Sequence, residues 1–278
     1  MKRHLIYRPP FEAETLLLEV TEGCTWNKCT FCSMYKQQPF RVLPEEEIRE
    51  QLEEMRQLFP DADRIFLENG DAWALSTDRL LRLSALIREY LPDIRVITGY
   101  ASIRNIEKKT DEELRRLAEE GITEPNIGLE SGLDEALEIL GKGYTAAEAE
   151  AQLLRMKEAG LAFSVNVILG SAGADLRMEN AEATAKLINH TEPCLVFKEI
   201  PHLEPSSILY GMRERGEFSE CTPLEYLEEE ERLLREIDVP DCIYFGVHMS
   251  NIVRLLGKLP EDKAALLAKI RRTMTDYA

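Results

Sequence analysis

The chain has 278 residues, 44% hydrophobic and 31% charged, and its 51 acidic against 34 basic side chains leave a net charge of −17. A general phosphate-backbone binder carries a basic face, so this balance argues against a nucleic-acid partner. No run approaches the roughly 18 apolar residues of a membrane span, and the start, MKRHLIYRPP, lacks the apolar run of a secretory signal. A cytoplasmic protein with no membrane association is expected. There thiols stay reduced, and clustered cysteines point to metal or catalysis rather than disulfides.

Short apolar runs alternate with helical patterns along the chain. Thr15–Val20 reads as a strand, and Pro44–Leu58 as a helix with proline at its start and a glutamate-rich first turn. Arg64–Leu67 reads as a strand, Thr77–Tyr90 as a helix, Ile94–Thr98 as a strand and Asp111–Glu120 as a helix stopped by Gly121. Pro125–Leu129 follows as a strand, then Leu133–Leu140 and Thr145–Ala159 as helices, with Gly160 as the second stop. Ala162–Leu169 reads as a strand, Met178–Asn189 as a helix and Cys194–Ile200 as the sixth strand. This alternation implies βαβ units on a parallel sheet. The fold class expected is α/β, a partial (β/α)6 TIM-like barrel with a C-terminal α/β cap.

Past residue 200 the pattern changes. Pro223–Glu236 reads as a charged helix with Leu227, Leu233 and Leu234 on one packed stripe and a solvated acidic face. Cys242–Val247 reads as a strand and Pro260–Thr275 as a last amphipathic helix. The expected organisation is a barrel core over 12–200 and a cap over 201–278 that packs on it.

Directly after the first strand, EVTEGCTWNKCTFCSMYK places Cys24, Cys29 and Cys32 at the spacing C-x4-C-x2-C. Loops after the strands of a parallel barrel form the face that carries chemistry. A structural zinc site needs four ligands, and nothing at zinc spacing completes this set. An iron–sulfur cluster normally takes four cysteines; three local ligands leave one iron open to an outside molecule. The bland reading is three buried apolar cysteines, which a Thr/Asn/Lys-rich loop disfavours. Cys194, Cys221 and Cys242 are isolated and read as buried thiols.

On these residues the chain resembles the radical S-adenosylmethionine (SAM) enzymes, whose usual pattern is C-x3-C-x-aromatic-C. Phe31 stands in the aromatic place before Cys32, and one extra residue separates Cys24 from Cys29. The resemblance implies a [4Fe-4S] cluster on Cys24, Cys29 and Cys32, with SAM at the open iron. It also assigns SAM contacts by position: Phe31; Asn69, Gly70 and Asp71 after the second strand; Ser102 and Arg104 after the third; Glu130 and Ser131, in the stretch Gly128-Leu129-Glu130-Ser131, after the fourth; and Asn166, Ile168 and Gly170 on the fifth, where Asn166 replaces the usual first glycine. Lys142-Gly143 keeps the register of the coproporphyrinogen-oxidase and methylthiotransferase groups. The tail, His248-x-x-Asn251 with Leu259-Pro260, resembles bacterial coproporphyrinogen-III-oxidase-like proteins.

The activity implied is reductive cleavage of SAM to a 5′-deoxyadenosyl radical that takes hydrogen from a small-molecule or peptide substrate. An external one-electron reductant, a flavodoxin or ferredoxin, is implied with it. His202, His248 and Tyr35 are the candidate catalytic side chains, set against plain structural roles for each. The rival reading is a non-catalytic iron–sulfur protein for electron transfer or redox sensing. It accounts for the cysteines but not for the Asn69–Asp71 and Glu130–Ser131 motifs.

Overall fold

The computed structural model describes residues 7–277, so most of the basic N-terminal stretch lies outside it. In chain order the elements are β1 (Leu16–Glu19), β2 (Thr21–Glu22), β3 (Arg41–Val42), α1 (Glu45–Leu58), β4 (Arg64–Glu68), α2 (Thr77–Tyr90), β5 (Val96–Ala101), α3 (Ile103–Glu107), α4 (Asp111–Glu119), β6 (Asn126–Glu130), α5 (Asp134–Ile139), α6 (Ala146–Glu158), β7 (Ser164–Ile168), α7 (Arg177–Thr191), β8 (Leu195–Glu199), α8 (Ile208–Glu214), α9 (Pro223–Glu236), β9 (Cys242–Phe245), β10 (Leu256–Leu259) and α10 (Lys263–Met274). The six expected barrel strands are β1 and β4–β8. Some helix starts carry capping boxes: Thr110 and Glu113 form one on α4, and Thr222 and Glu225 form another on α9, where Pro223 takes the first turn. Gly121 and Gly160 stop their helices at φ +69° and +80°.

The chain divides into two compact units. Of the described residues, the first holds 7–27, 35–127 and 155–163, and the second holds 28–34, 128–154 and 164–277. In the first, β1, β4, β5 and the start of β6 pair in parallel, with Leu16 beside Ile65, Ile65 beside Ile97 and Ala101 beside Ile127. Ile65, Phe66 and Leu67 are fully buried on both faces of β4, as expected of a parallel strand covered by helices. In the second unit β7, β8 and β9 pair in parallel, and β10 closes the order antiparallel to β9. Residues 201–278 therefore supply strands beside β8 as well as helices.

Several elements differ from the sequence reading. β5 runs on through Gly99 to Ala101, because a Cβ on Gly99 would stand 2.9 Å from the Leu67 carbonyl oxygen; the glycine allows a close strand approach and is not a break. α3 and α8 are too short to leave a periodic pattern and were not foreseen. On α9, Leu227, Leu233 and Leu234 are buried as expected, but so are Glu229 and Glu230. The acidic run is not uniformly solvated, because buried partners meet those two carboxylates.

Candidate functional site

The cysteine segment leaves β2 and returns in β3, whose short antiparallel ladder pairs Thr21 with Val42 and Glu22 with Arg41. Arg41 also grips the Glu22 carboxylate through Nε at 3.0 Å and a terminal nitrogen at 2.5 Å. Gly23 opens the segment at φ +70°, and a Cβ there would lie 2.8 Å from two carbonyl oxygens, so only glycine fits.

In the first unit the segment carries Cys24, Thr25 and Trp26. The Asp71 carboxylate is buried, and both of its oxygens are engaged. Oδ2 accepts the Thr25 N–H at 3.1 Å and the Thr25 hydroxyl, and Oδ1 accepts the Asn105 amide. Burial pushes the Asp71 carboxyl up, while the bonds from Thr25 and Asn105 pull it back. Gly70 lies against the same turn: an added Cβ would meet the Tyr35 ring at 2.7 Å and the Cys24 Cβ at 3.1 Å. Tyr35 is buried here and stacks edge-on with Tyr7. Arg104 lies over the Trp26 ring at 4.1 Å, and Ser102 caps α3 by accepting the Asn105 N–H. Asn69, at φ +69°, donates to Glu19 at 2.6 Å. Glu68, not foreseen as a site residue, stands in register with Glu19; burial and then Glu19 raise its carboxyl to about 7, and its Oε2 is buried with no hydrogen-bond partner.

In the second unit the segment carries Cys29, Phe31 and Cys32. The Thr30 N–H donates to Leu140 and its hydroxyl to Ile139, while the Thr30 carbonyl accepts the Leu209 N–H. Phe31 packs on Leu140, Leu203, Leu209 and Phe218. Its visible role is to seat the segment on apolar side chains at the ends of α5 and α8.

The motif after β6 folds back on itself. Glu130, at φ +68°, accepts Lys142 Nζ at 2.9 Å, and both side chains are buried. Burial lowers the affinity of Lys142 for its proton, but Glu130 overrides this and holds the ammonium charged. Ser131 is fully buried and donates to Asn180 at 2.5 Å. On β7, Asn166 sits in register with Phe197 and Ile168 with Glu199, so these four share one face of the sheet. Asn166 Oδ1 is buried with no hydrogen-bond partner, and Ile168 is buried. Gly170, at φ +70°, donates its N–H to Glu229 at 2.6 Å.

The two histidines separate. His202 is four-fifths exposed and pairs with Glu204 at 3.1 Å. His248 is half-buried; its Nδ1 bonds the Ser250 hydroxyl at 2.7 Å and stands 4.0 Å from Glu199. Burial lowers the His248 pKa and, with help from Glu130, raises that of Glu199 to about 7. Glu199 had no sequence signal beyond its place at the end of the sixth barrel strand.

Among the described residues no disulfide forms, and no three His, Cys, Asp or Glu side chains stand as a metal-ligating group. The fit to a cluster rests on the donors themselves. Cys24, Cys29 and Cys32 are half-exposed, whereas Cys221 and Cys242 are buried as expected and desolvation lifts both thiols to about 12; Cys194, expected to be buried, is exposed. Thiolates are the metal ligands, so the clustered three fit and those two do not. Glu68 Oε2 in the first unit and Asn166 Oδ1 in the second are each buried oxygens that call for a polar partner.

Fold and site together define a radical SAM protein: residues 18–187 match the model of the Radical SAM superfamily, and the chain belongs to it. The cofactors of that family are a [4Fe-4S] cluster and SAM. Among individual proteins, the chain is 24% identical over 194 residues to the heme chaperone HemW of Bacillus subtilis, covering 69% of this chain and 49% of that one. It thus spans about half the length of that curated relative. Of solved structures, methylornithine synthase (PylB) superposes with a TM-score of 0.58 at 16% identity, over 92% of this chain and 68% of that one. Coproporphyrinogen III oxidase (HemN) from Escherichia coli gives 0.57 at 17%, over 80% and 52%. These likenesses support the partial TIM-barrel fold class. No helix among the described residues is long and apolar enough to cross a membrane.

Proposed function

We propose that the chain is a radical SAM enzyme acting on a small-molecule or peptide substrate, with Cys24, Cys29 and Cys32 holding the cluster. The carrying observation is the investment of buried polar groups around the first cysteine: Asp71 and Asn105 serve to fix Thr25, the residue after Cys24. Cys24, Cys29 and Cys32 would hold the cluster, which would take one electron from an external flavodoxin or ferredoxin and supply it for cleavage of the SAM sulfur–C5′ bond to methionine and a 5′-deoxyadenosyl radical. The chain's own residues bind and orient. Gly70 lets backbone approach closely, Asn69 and Glu68 present polar atoms, and Glu130 with Lys142 offers a fixed pair of opposite charges. Ser131, Ile168 and Gly170 line the loops after β6 and β7, and Asn166 offers its unmatched oxygen. Asp71, Phe31, Ser102 and Arg104 act from behind by holding the cysteine segment and α3. His248, with Glu199 beside it, is the better placed candidate to move a proton; His202 is exposed and Tyr35 is packed.

A second reading follows from the likeness to a heme chaperone: the chain holds heme and passes it on, with no radical chemistry. Addition of SAM to the reconstituted, reduced protein separates the two. Release of 5′-deoxyadenosine and methionine supports the enzyme. SAM left whole, with a heme absorption band on titration with hemin, supports the carrier.

A further inference from the structure

The loops after β6 and β7 are held by a residue outside them. Glu229 lies on α9 and is fully buried. Its Oε2 accepts the Gly170 N–H at 2.6 Å and its Oε1 accepts Asn180 Nδ2 at 2.6 Å. Asn180, on α7, accepts the Ser131 hydroxyl on its own Oδ1 at 2.5 Å. One carboxylate therefore ties the β7 loop directly, and the β6 loop through one amide.

The rest of α9 is arranged to keep that carboxylate in place. Tyr226, one turn earlier, covers the same glycine: a Cβ on Gly170 would lie 2.4 Å from its ring. Glu230, the next residue, meets Lys198 Nζ at 2.6 Å and accepts the Tyr244 hydroxyl at 3.3 Å, which fixes the helix against β8 and β9. Burying a carboxylate is costly unless it is matched by donors. Both donors here come from, or lead to, the loops assigned to SAM, so the cost is spent on their geometry.

We infer that Glu229 is a positioning residue for SAM, holding Gly170 directly and Ser131 through Asn180 at the geometry the cofactor meets. The inference rests on the reading of the β6 and β7 loops as SAM contacts. It places a determinant of cofactor affinity in the C-terminal segment, on a helix whose sequence reads as a solvated acidic face.

The test uses the anaerobically reconstituted full chain as wild type, Glu229→Gln and Glu229→Leu. Gln keeps an acceptor for Gly170 and, with the Asn180 amide turned over, a bond to it; Leu keeps the volume and removes both. SAM affinity is read from the cluster's paramagnetic signal, cluster loading from iron content, and loop order from hydrogen exchange of the Gly170 amide. The expected result is roughly tenfold weaker SAM binding in Glu229→Leu at equal iron content, faster exchange at Gly170, and partial rescue by Gln, which restores the Gly170 bond but takes Asn180 Oδ1 from the Ser131 hydroxyl. SAM binding unchanged in Glu229→Leu overturns the inference. If Glu229→Leu does not fold, Asn180→Ala takes its place: weakened SAM binding with Gly170 still protected upholds the inference, and unchanged binding overturns it. If wild type itself gives no response to SAM, the reading of the loops fails. Gly170 exchange, equal or unequal in wild type and Leu, then shows separately whether Glu229 holds its loop.

Discussion

Asp71 has partners in the fold that its sequence motif does not suggest. Its position after β4 matched an ammonium-binding motif, yet Thr25 and Asn105 occupy both carboxylate oxygens. Those partners are 46 and 34 residues away, so no local pattern reveals them. Asp71→Ala leaves their donors unmatched inside the protein, each at about 1–3 kcal/mol. Iron content after reconstitution is expected to fall to roughly half or less; full loading with a wild-type melting point contradicts the anchoring role. Cys29→Ala is expected to lose the cluster with its far-ultraviolet circular dichroism intact, and a cluster-loaded, SAM-responsive variant removes Cys29 as a ligand. Glu229 adds a pH signature. Burial raises its carboxyl from 4.5 to about 8, against the pull of Asn180, Gly170 and Arg177 and with repulsion from Glu230. The folded chain therefore keeps a proton that the unfolded chain releases, so this contribution is whole below pH 4.5 and is lost as pH rises through about 8. The melting temperature of wild type relative to Glu229→Gln should fall between about pH 5 and pH 8.5. A constant difference means the carboxyl is ionised throughout.

At the level of elements, α9 is the departure that matters. A run of glutamates has the same appearance in sequence whether it meets water or buried donors, and only Asn180, Gly170, Lys198 and Tyr244 decide it. The leucine stripe was legible because helical spacing is local. The six barrel strands were legible for the same reason, as apolar runs bounded by caps and glycines. α3 was not, since five residues hold little more than one turn, yet it supplies Asn105 and Arg104 to the cysteine segment. Two glycines measure how tightly α9 grips its loop. Gly170 and Gly160 both have positive φ, but a Cβ meets Tyr226 at 2.4 Å at the first and nothing within 4 Å at the second. Gly160→Ala should cost about 1–2 kcal/mol of backbone strain. Gly170→Ala should cost clearly more in chemical denaturation, and equal costs contradict the Tyr226 contact.

For the whole molecule, the cysteine spacing and strand count pointed to the family, which the match over residues 18–187 establishes. The substrate was not legible, because no local motif specifies it, and the groups proposed to move a proton, Glu199 and His248, lie on a strand and a loop that only folding brings within 4.0 Å. The likeness to a heme chaperone leaves radical chemistry as the claim to test. Anaerobically reconstituted protein given dithionite and SAM is therefore the direct measurement, with 5′-deoxyadenosine and methionine quantified together. The account predicts both products in equal amounts, and neither from Cys29→Ala. A loaded cluster that binds SAM and leaves it whole, alone and with cell-extracted small molecules or peptides, contradicts it.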